Sequence, residues 1–162
     1  MSRLRQNITF CESFDGTRIA YATSGTGPPL VRVANWVTHL ELDWEGPIWP
    51  PWFEELSSDH TLVRYDLRGC GLSDRSVDDL SLDAWVRDLE AVVDDLGLDQ
   101  FSILGLCQGG SIAVAYAARH PGRVKQLVLY DTYTHGALVE GQRFFERTKA
   151  EALTQMIKVG WG

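Results

Sequence analysis

The hydrophobic rhythm of the chain changes partway along. Early on, short runs of β-branched and aromatic residues alternate with turn formers. Ile8 to Glu12 and Arg18 to Ala22 flank Asp15-Gly16 and predict a hairpin. Gly25-Thr26-Gly27-Pro28-Pro29 is a turn cluster, and Leu30 to Ala34 and His60 to Tyr65 read as further strands. Between those strands, Trp36 to Pro51 reads as a loop rich in Trp and Pro, and Trp52 to Leu56 as a short helix. From Ser81 the period lengthens. Leu82, Trp85, Val86, Leu89, Val92, Val93 and Leu96 share one helical face, with Ser81 as N-cap and Gly97 as stop. Phe101 to Leu106 and Val124 to Tyr130 are continuous apolar runs, as strands covered on both faces require. Between them Ser111 to Arg119 is helical and ends at His120-Pro121-Gly122. Strands alternating with helices predict an α/β fold with a mostly parallel, doubly wound sheet and right-handed crossovers. After Gly136 the pattern is helical and mixed in polarity, from Leu138 to Val159.

Length and charge narrow the classes. A chain of 162 residues suits one domain and buries most of its unfolded surface without staples. A net charge of −7 argues against nucleic acid or an anionic membrane as partner. Cys11, Cys70 and Cys107 have no metal-ligand spacing, and their odd number argues against a disulfide framework. No apolar run is long enough to span a bilayer, and Met1 to Asn7 is polar and basic, so a cytoplasmic protein is expected. Gly25-Thr26-Gly27 lacks the lysine and the helix of a phosphate loop. No metal, flavin or nicotinamide cofactor is expected.

The candidate chemistry lies at Gly105-Leu106-Cys107-Gln108-Gly109-Gly110. A strand leads in and a helix leads out, with a nucleophile at the apex. This is the context of a G-x-S-x-G nucleophile elbow, with Cys in place of Ser. The apex must stand clear of the sheet on strained backbone, so its flanks are small. The free N–H groups that open the helix face the apex, which makes a thiol there the most reactive expected in this chain.

With DLRGCGLSD after a strand, GLCQGG at the turn and AARHPGRVKQLVL beyond it, the chain resembles the α/β-hydrolase family. RVANWVTHLELDWEGPIW and LVRYDLRGCGLSD are similar to hydrolase-like domains fused to bacterial adenylate cyclases and helix-turn-helix regulators. No cyclase or helix-turn-helix region is visible in the sequence. The resemblance implies a hydrolase-type sheet ending before the segment that carries the catalytic acid and histidine. Residues 1–136 would then be the N-terminal part of the core, and residues 137–162 the start of a helical cap. A sheet so interrupted is expected to associate with a second copy or a complementing chain.

The resemblance also assigns roles. Cys107 is the nucleophile, as in dienelactone-hydrolase-like enzymes. The N–H of Gln108 supplies one oxyanion donor, and the N–H of Trp36, in the loop after the third strand, supplies the other. His39 and His135 match no base of the family, but their loops lie on the carboxyl-end side of the sheet, which makes them candidate bases by placement. His60 begins a strand at the opposite end, and His120 closes a helix at the surface. Asp131 is either the catalytic acid or a strand-end turn former. Asp66 and Arg68 brace the glycine loop. Trp36, Trp44, Trp49 and Trp52 crowd one loop, lining an apolar pocket or packing the sheet edge. The expected function is hydrolysis of an ester, thioester or lactone-type acyl substrate, impaired in a lone chain. The alternative is a non-catalytic ligand-binding or regulatory module with a hydrolase-type pocket.

Overall fold

The computed structural model describes residues 4–133. Met1–Thr132 form one compact unit and Tyr133–Gly162 a second. The first unit is built on six strands: β1 (Gln6–Glu12), β2 (Arg18–Ser24), β3 (Pro29–Arg32), β4 (Thr61–Tyr65), β5 (Phe101–Leu106) and β6 (Val124–Tyr130). Four helices connect them: α1 (Leu40–Glu45), α2 (Pro50–Leu56), α3 (Leu82–Asp95) and α4 (Gln108–Arg119).

The strands lie in the order β1-β2-β4-β3-β5-β6. β1 and β2 form the expected antiparallel hairpin, and β2 also runs antiparallel to β4. The pairs β3–β4, β3–β5 and β5–β6 are parallel, so α3 and α4 serve as crossover helices. Helix α3 starts where its cap predicts, because the Ser81 side chain accepts the Ala84 N–H.

Strand β6, expected to be covered on both faces, is exposed from Lys125 to Tyr130 at the end of the strand order. Strands β3, β4 and β5 are covered on both faces, and each face has its own core. On one, Val31, Val33, Val63, Ile103 and Tyr65 pack against Val86, Leu89 and Val93 of α3 and Ile112 and Tyr116 of α4. On the other, Leu30, Leu62, Leu104 and Leu106 pack under Phe53 of α2, with Trp44 and Trp49.

Three boundaries depart from the sequence expectation. The Trp36–Pro51 stretch is not all loop: it holds α1 and the start of α2. Pro50 and Pro51 sit in the first turn of α2, where a missing N–H costs nothing, so the prolines that suggested a loop start a helix. Helix α4 begins at Gln108 rather than Ser111. Gly109 and Gly110 are poor helix formers, and packing overrides that propensity. Strand β3 ends at Arg32 rather than Ala34, although the Val33 N–H still donates to the Leu104 carbonyl at 2.9 Å.

The domain boundary expected at residue 136 and the helix expected from Leu138 to Val159 lie outside the described residues. Among the described residues no helix is long and apolar enough to cross a membrane. No cluster of His, Cys, Asp or Glu that could hold a metal ion occurs among them. All three cysteines are free thiols.

Candidate functional site

Cys107 joins β5 to α4 with φ 48° and ψ −121°, a conformation that side chains other than glycine rarely adopt. Such backbone costs about 1–3 kcal/mol and persists only where its surroundings over-determine it. Here they do. The Cys107 N–H donates to the Tyr130 carbonyl at 3.2 Å. The Cys107 carbonyl accepts from the Gly110 N–H at 3.1 Å and from Thr132 Oγ1 at 2.8 Å. The two glycines after the apex answer to different neighbours. A Cβ on Gly109 would stand 2.8 Å from the Ala34 carbonyl oxygen, and one on Gly110 would collide with the Thr132 side chain. The elbow is thus wedged between the loop after β3 and the end of β6.

The close approach of Gly109 to Ala34 puts the first turn of α4 beside the loop that carries Asn35 and Trp36. Arg32 braces that loop, with Nη2 donating to Asn35 Oδ1 at 3.0 Å. Val37 turns the chain with φ 45°. Among the described residues no hydrogen bond engages the Trp36 or the Gln108 N–H. The Trp36 ring itself is half-exposed.

The thiol of Cys107 is partly open to solvent and has one side-chain partner among the described residues. Asp131 Oδ2 lies 3.9 Å from Sγ. Asp131 itself turns the chain out of β6 with φ 49°, so it is a strand-end turn former and also faces the Cys107 thiol. His39 does not reach the thiol: its Nδ1 accepts the Leu42 N–H at 3.4 Å and caps α1. His60 precedes β4 and pairs with Asp59, far down the sheet from the elbow. His120 is less of a surface group than expected. Its ring packs on Tyr116 and Nε2 meets Glu90 at 2.7 Å, because the helix end folds back over α3. His135 lies outside the described residues.

The glycine loop after β4 is a brace, as its residues suggested. Asp66 is fully buried, and its Oδ2 accepts the N–H groups of Leu40 at 3.2 Å and Leu72 at 2.8 Å. Burial raises the Asp66 carboxyl above the usual carboxylate range, and those two N–H groups oppose the shift. Arg68 spans Asp88 at 2.7 and 2.8 Å and reaches Asp15 at 2.8 Å.

Two further arginines have no carboxylate partner among the described residues. Arg32 stacks on Trp49, 4.3 Å from the ring centre, and Arg64 on Phe53 at 3.8 Å. Burial lowers both guanidinium groups to about 10. Trp44 and Trp49 therefore pack the sheet face over buried cations, whereas Trp36 and Trp52 are exposed. A cavity of 330 Å³ beside them is lined by Leu4, Trp44, Glu45, Pro50, Phe53 and Glu54, and no elbow residue reaches it. It is not the pocket of the elbow. Sequence reasoning missed Thr132 and Arg32 at the site. The available signal for Thr132 was the second glycine, Gly110, which needs a neighbour to explain it.

The comparisons agree with this geometry. The model of the alpha/beta hydrolase fold family matches residues 40–155. The chain is 33% identical over 128 residues to a cis-3-alkyl-4-alkyloxetan-2-one decarboxylase of Shewanella oneidensis, covering 74% of this chain and 37% of the relative. It is 36% identical to a pimeloyl-[acyl-carrier protein] methyl ester esterase of Nitrosomonas europaea, covering 66% of this chain and 38% of the relative. Among solved structures, the esterase EaEST of Exiguobacterium antarcticum superposes with a TM-score of 0.78 at 25% identity, over 94% of this chain and 56% of that one. The chain spans less than half the length of the curated relatives it matches. Strand order, elbow and glycine loop agree with the family match, and the chain belongs to the alpha/beta hydrolase fold family.

Proposed function

We propose that this chain carries the nucleophile and oxyanion side of an acyl-hydrolase site. Cys107 attacks the carbonyl of a small ester, thioester or lactone-type substrate, and the N–H groups of Gln108 and Trp36 hold the oxyanion. The observation that carries the reading is the strained backbone of Cys107 at the mouth of α4, beside two N–H groups that no described residue engages. Strain of this kind concentrates at functional sites, and removing one oxyanion donor typically costs about 10²–10³ in rate. Relatives named as an esterase and as putative carbamate hydrolases support carbonyl chemistry as the class.

One observation favours a second reading, a ligand-binding or regulatory module with a hydrolase-type pocket. No described histidine reaches Cys107. Triad members act as a unit, so a site without its base loses most of its turnover. The exposed strand β6 would then be the surface for a second copy or a complementing chain.

Incubation with p-nitrophenyl acetate, followed by intact mass and peptide mapping, separates the two. The hydrolase reading expects one acetyl group on Cys107, absent from Cys107→Ala. No adduct, or an equal adduct on Cys70, would overturn it and leave the binding module.

A further inference from the structure

The contact between Cys107 and Asp131 has a geometry that a catalytic triad does not. In a triad an imidazole stands between nucleophile and acid. That arrangement needs two hydrogen bonds of about 3 Å each plus the width of the ring. Here Asp131 Oδ2 is 3.9 Å from the sulfur, and no imidazole fits between them. The carboxylate faces the nucleophile directly.

The backbone holds it there. Asp131 has φ 49° and Cys107 has φ 48°, so two residues other than glycine in left-handed backbone face each other across the ends of β5 and β6. Each is tied to the other's strand. The Cys107 N–H bonds the Tyr130 carbonyl, one residue before Asp131, and Thr132, one residue after it, bonds the Cys107 carbonyl. A turn former alone explains the φ of Asp131. It does not explain why the carboxylate points at the one strained nucleophile. Asp131 is also exposed, so water reaches it.

We infer that Asp131 is the proton-transfer residue of this site, serving Cys107 without a histidine between them. The inference rests on Cys107 being the nucleophile. In acylation the sulfur–carbon bond forms and the ester C–O bond breaks, and the thiol proton passes through the Asp131 carboxylate to the departing alkoxide. In deacylation a water oxygen attacks the thioester carbon as Asp131 takes its proton. The carbon–sulfur bond then breaks, and the proton returns from Asp131 to sulfur. The products are one acid and one alcohol, with thiol and carboxylate restored. Deacylation depends on Asp131 more heavily, because water is a far weaker nucleophile than a thiol.

The test follows the acetyl adduct on Cys107 by intact mass after excess p-nitrophenyl acetate is removed. In the parent chain the adduct should decay, and in Asp131→Asn it should form and then persist at least ~10-fold longer, the low end of what general-base catalysis supplies. Asn accepts left-handed backbone as readily as Asp, so the turn survives. Asp131→Gly, also free in that backbone, leaves space beside the sulfur, and added formate should restore adduct decay there. A merely structural Asp131 would show no formate rescue. Equal decay in the parent and in Asp131→Asn would overturn the inference while leaving Cys107 as nucleophile. An absence of any adduct in the parent chain would remove the nucleophile itself, and the inference with it.

Discussion

The glycine loops at the ends of β4 and β5 use the same residue types to opposite ends. Each carries a cysteine and answers to an aspartate, Asp66 for the first and Asp131 for the second. In the loop after β4 the charged groups Asp66 and Arg68 are turned inward. Asp66 accepts two backbone N–H groups in the core, and Arg68 is held between Asp88 and Asp15. In the elbow after β5 the strain is kept and the groups face outward, with thiol and carboxylate open to solvent. A buried network of charge-assisted hydrogen bonds favours one conformation, even though Asp66 Oδ1 is left without a partner among the described residues. A strained apex with free N–H groups is poised to bind something else. The first loop is built for stability, and the second carries the chemistry proposed above.

The comparison breaks most severely at Arg68. Arg68→Met leaves Asp88 buried without a partner, which costs about 3–5 kcal/mol. Urea unfolding followed by tryptophan fluorescence should show that loss. The double variant Arg68→Met, Asp88→Leu should recover much of it, and a double variant no better than the single would contradict the pairing.

Next in size is Gly110→Ala. Its Cβ would collide with the Thr132 side chain, and overpacking of this kind costs about 1–3 kcal/mol. Thr132→Gly, which also removes the Cβ that the new methyl group would meet, should relieve most of that penalty in a double-mutant cycle, because the two sites share one contact. Additive costs would mean that the end of β6 does not wedge the elbow.

The cysteines sharpen the comparison. Burial, with Asp66 beside it, pushes the Cys70 thiol up, and burial pushes Cys11 up to about 11. Iodoacetamide at neutral pH should therefore modify Cys107 at least ~10-fold faster than either, as reactivity follows thiolate fraction and access. Peptide mapping reads the order directly, and faster labelling of Cys70 would reverse the roles of the two loops.

The smallest effect is on pH dependence. The hydrogen bond from Arg68 holds the Asp15 carboxyl below the usual carboxylate range. A depressed acid contributes stability above its unfolded value and loses it as pH falls through the folded one. Asp66 has the opposite sign: burial raises it, so its contribution is present at low pH and fades as pH rises through the raised value. Asp15→Asn should flatten the acid limb of stability by about 1 kcal/mol or less, since the pair is partly exposed. Asp66→Asn should flatten the limb of opposite slope.

Much of the fold was legible because its signals are local. The seven-residue apolar face of α3, with Ser81 before it and Gly97 after it, reads as a helix without any neighbour. The elbow was legible for the same reason: strand, glycine, nucleophile and helix follow one another in the chain. What stayed hidden depends on residues far apart in sequence. His39 looked like a free loop base until α1 formed and used its ring as a cap. Pro50 and Pro51 looked like loop residues until they began α2.

By itself the sequence determined the element types outside the Trp36–Pro51 stretch, the parallel layout, the identity of the nucleophile candidate and the bracing role of Asp66 and Arg68. Periodicity and turn chemistry act within a few residues, so they survive without the third dimension. Only the tertiary structure decided that Asp131 meets Cys107, that Thr132 accounts for Gly110, and that the tryptophan loop covers two buried arginines rather than a pocket at the elbow. Those contacts join residues separated by 11 to 24 positions, and proximity of that kind arises only when the sheet assembles.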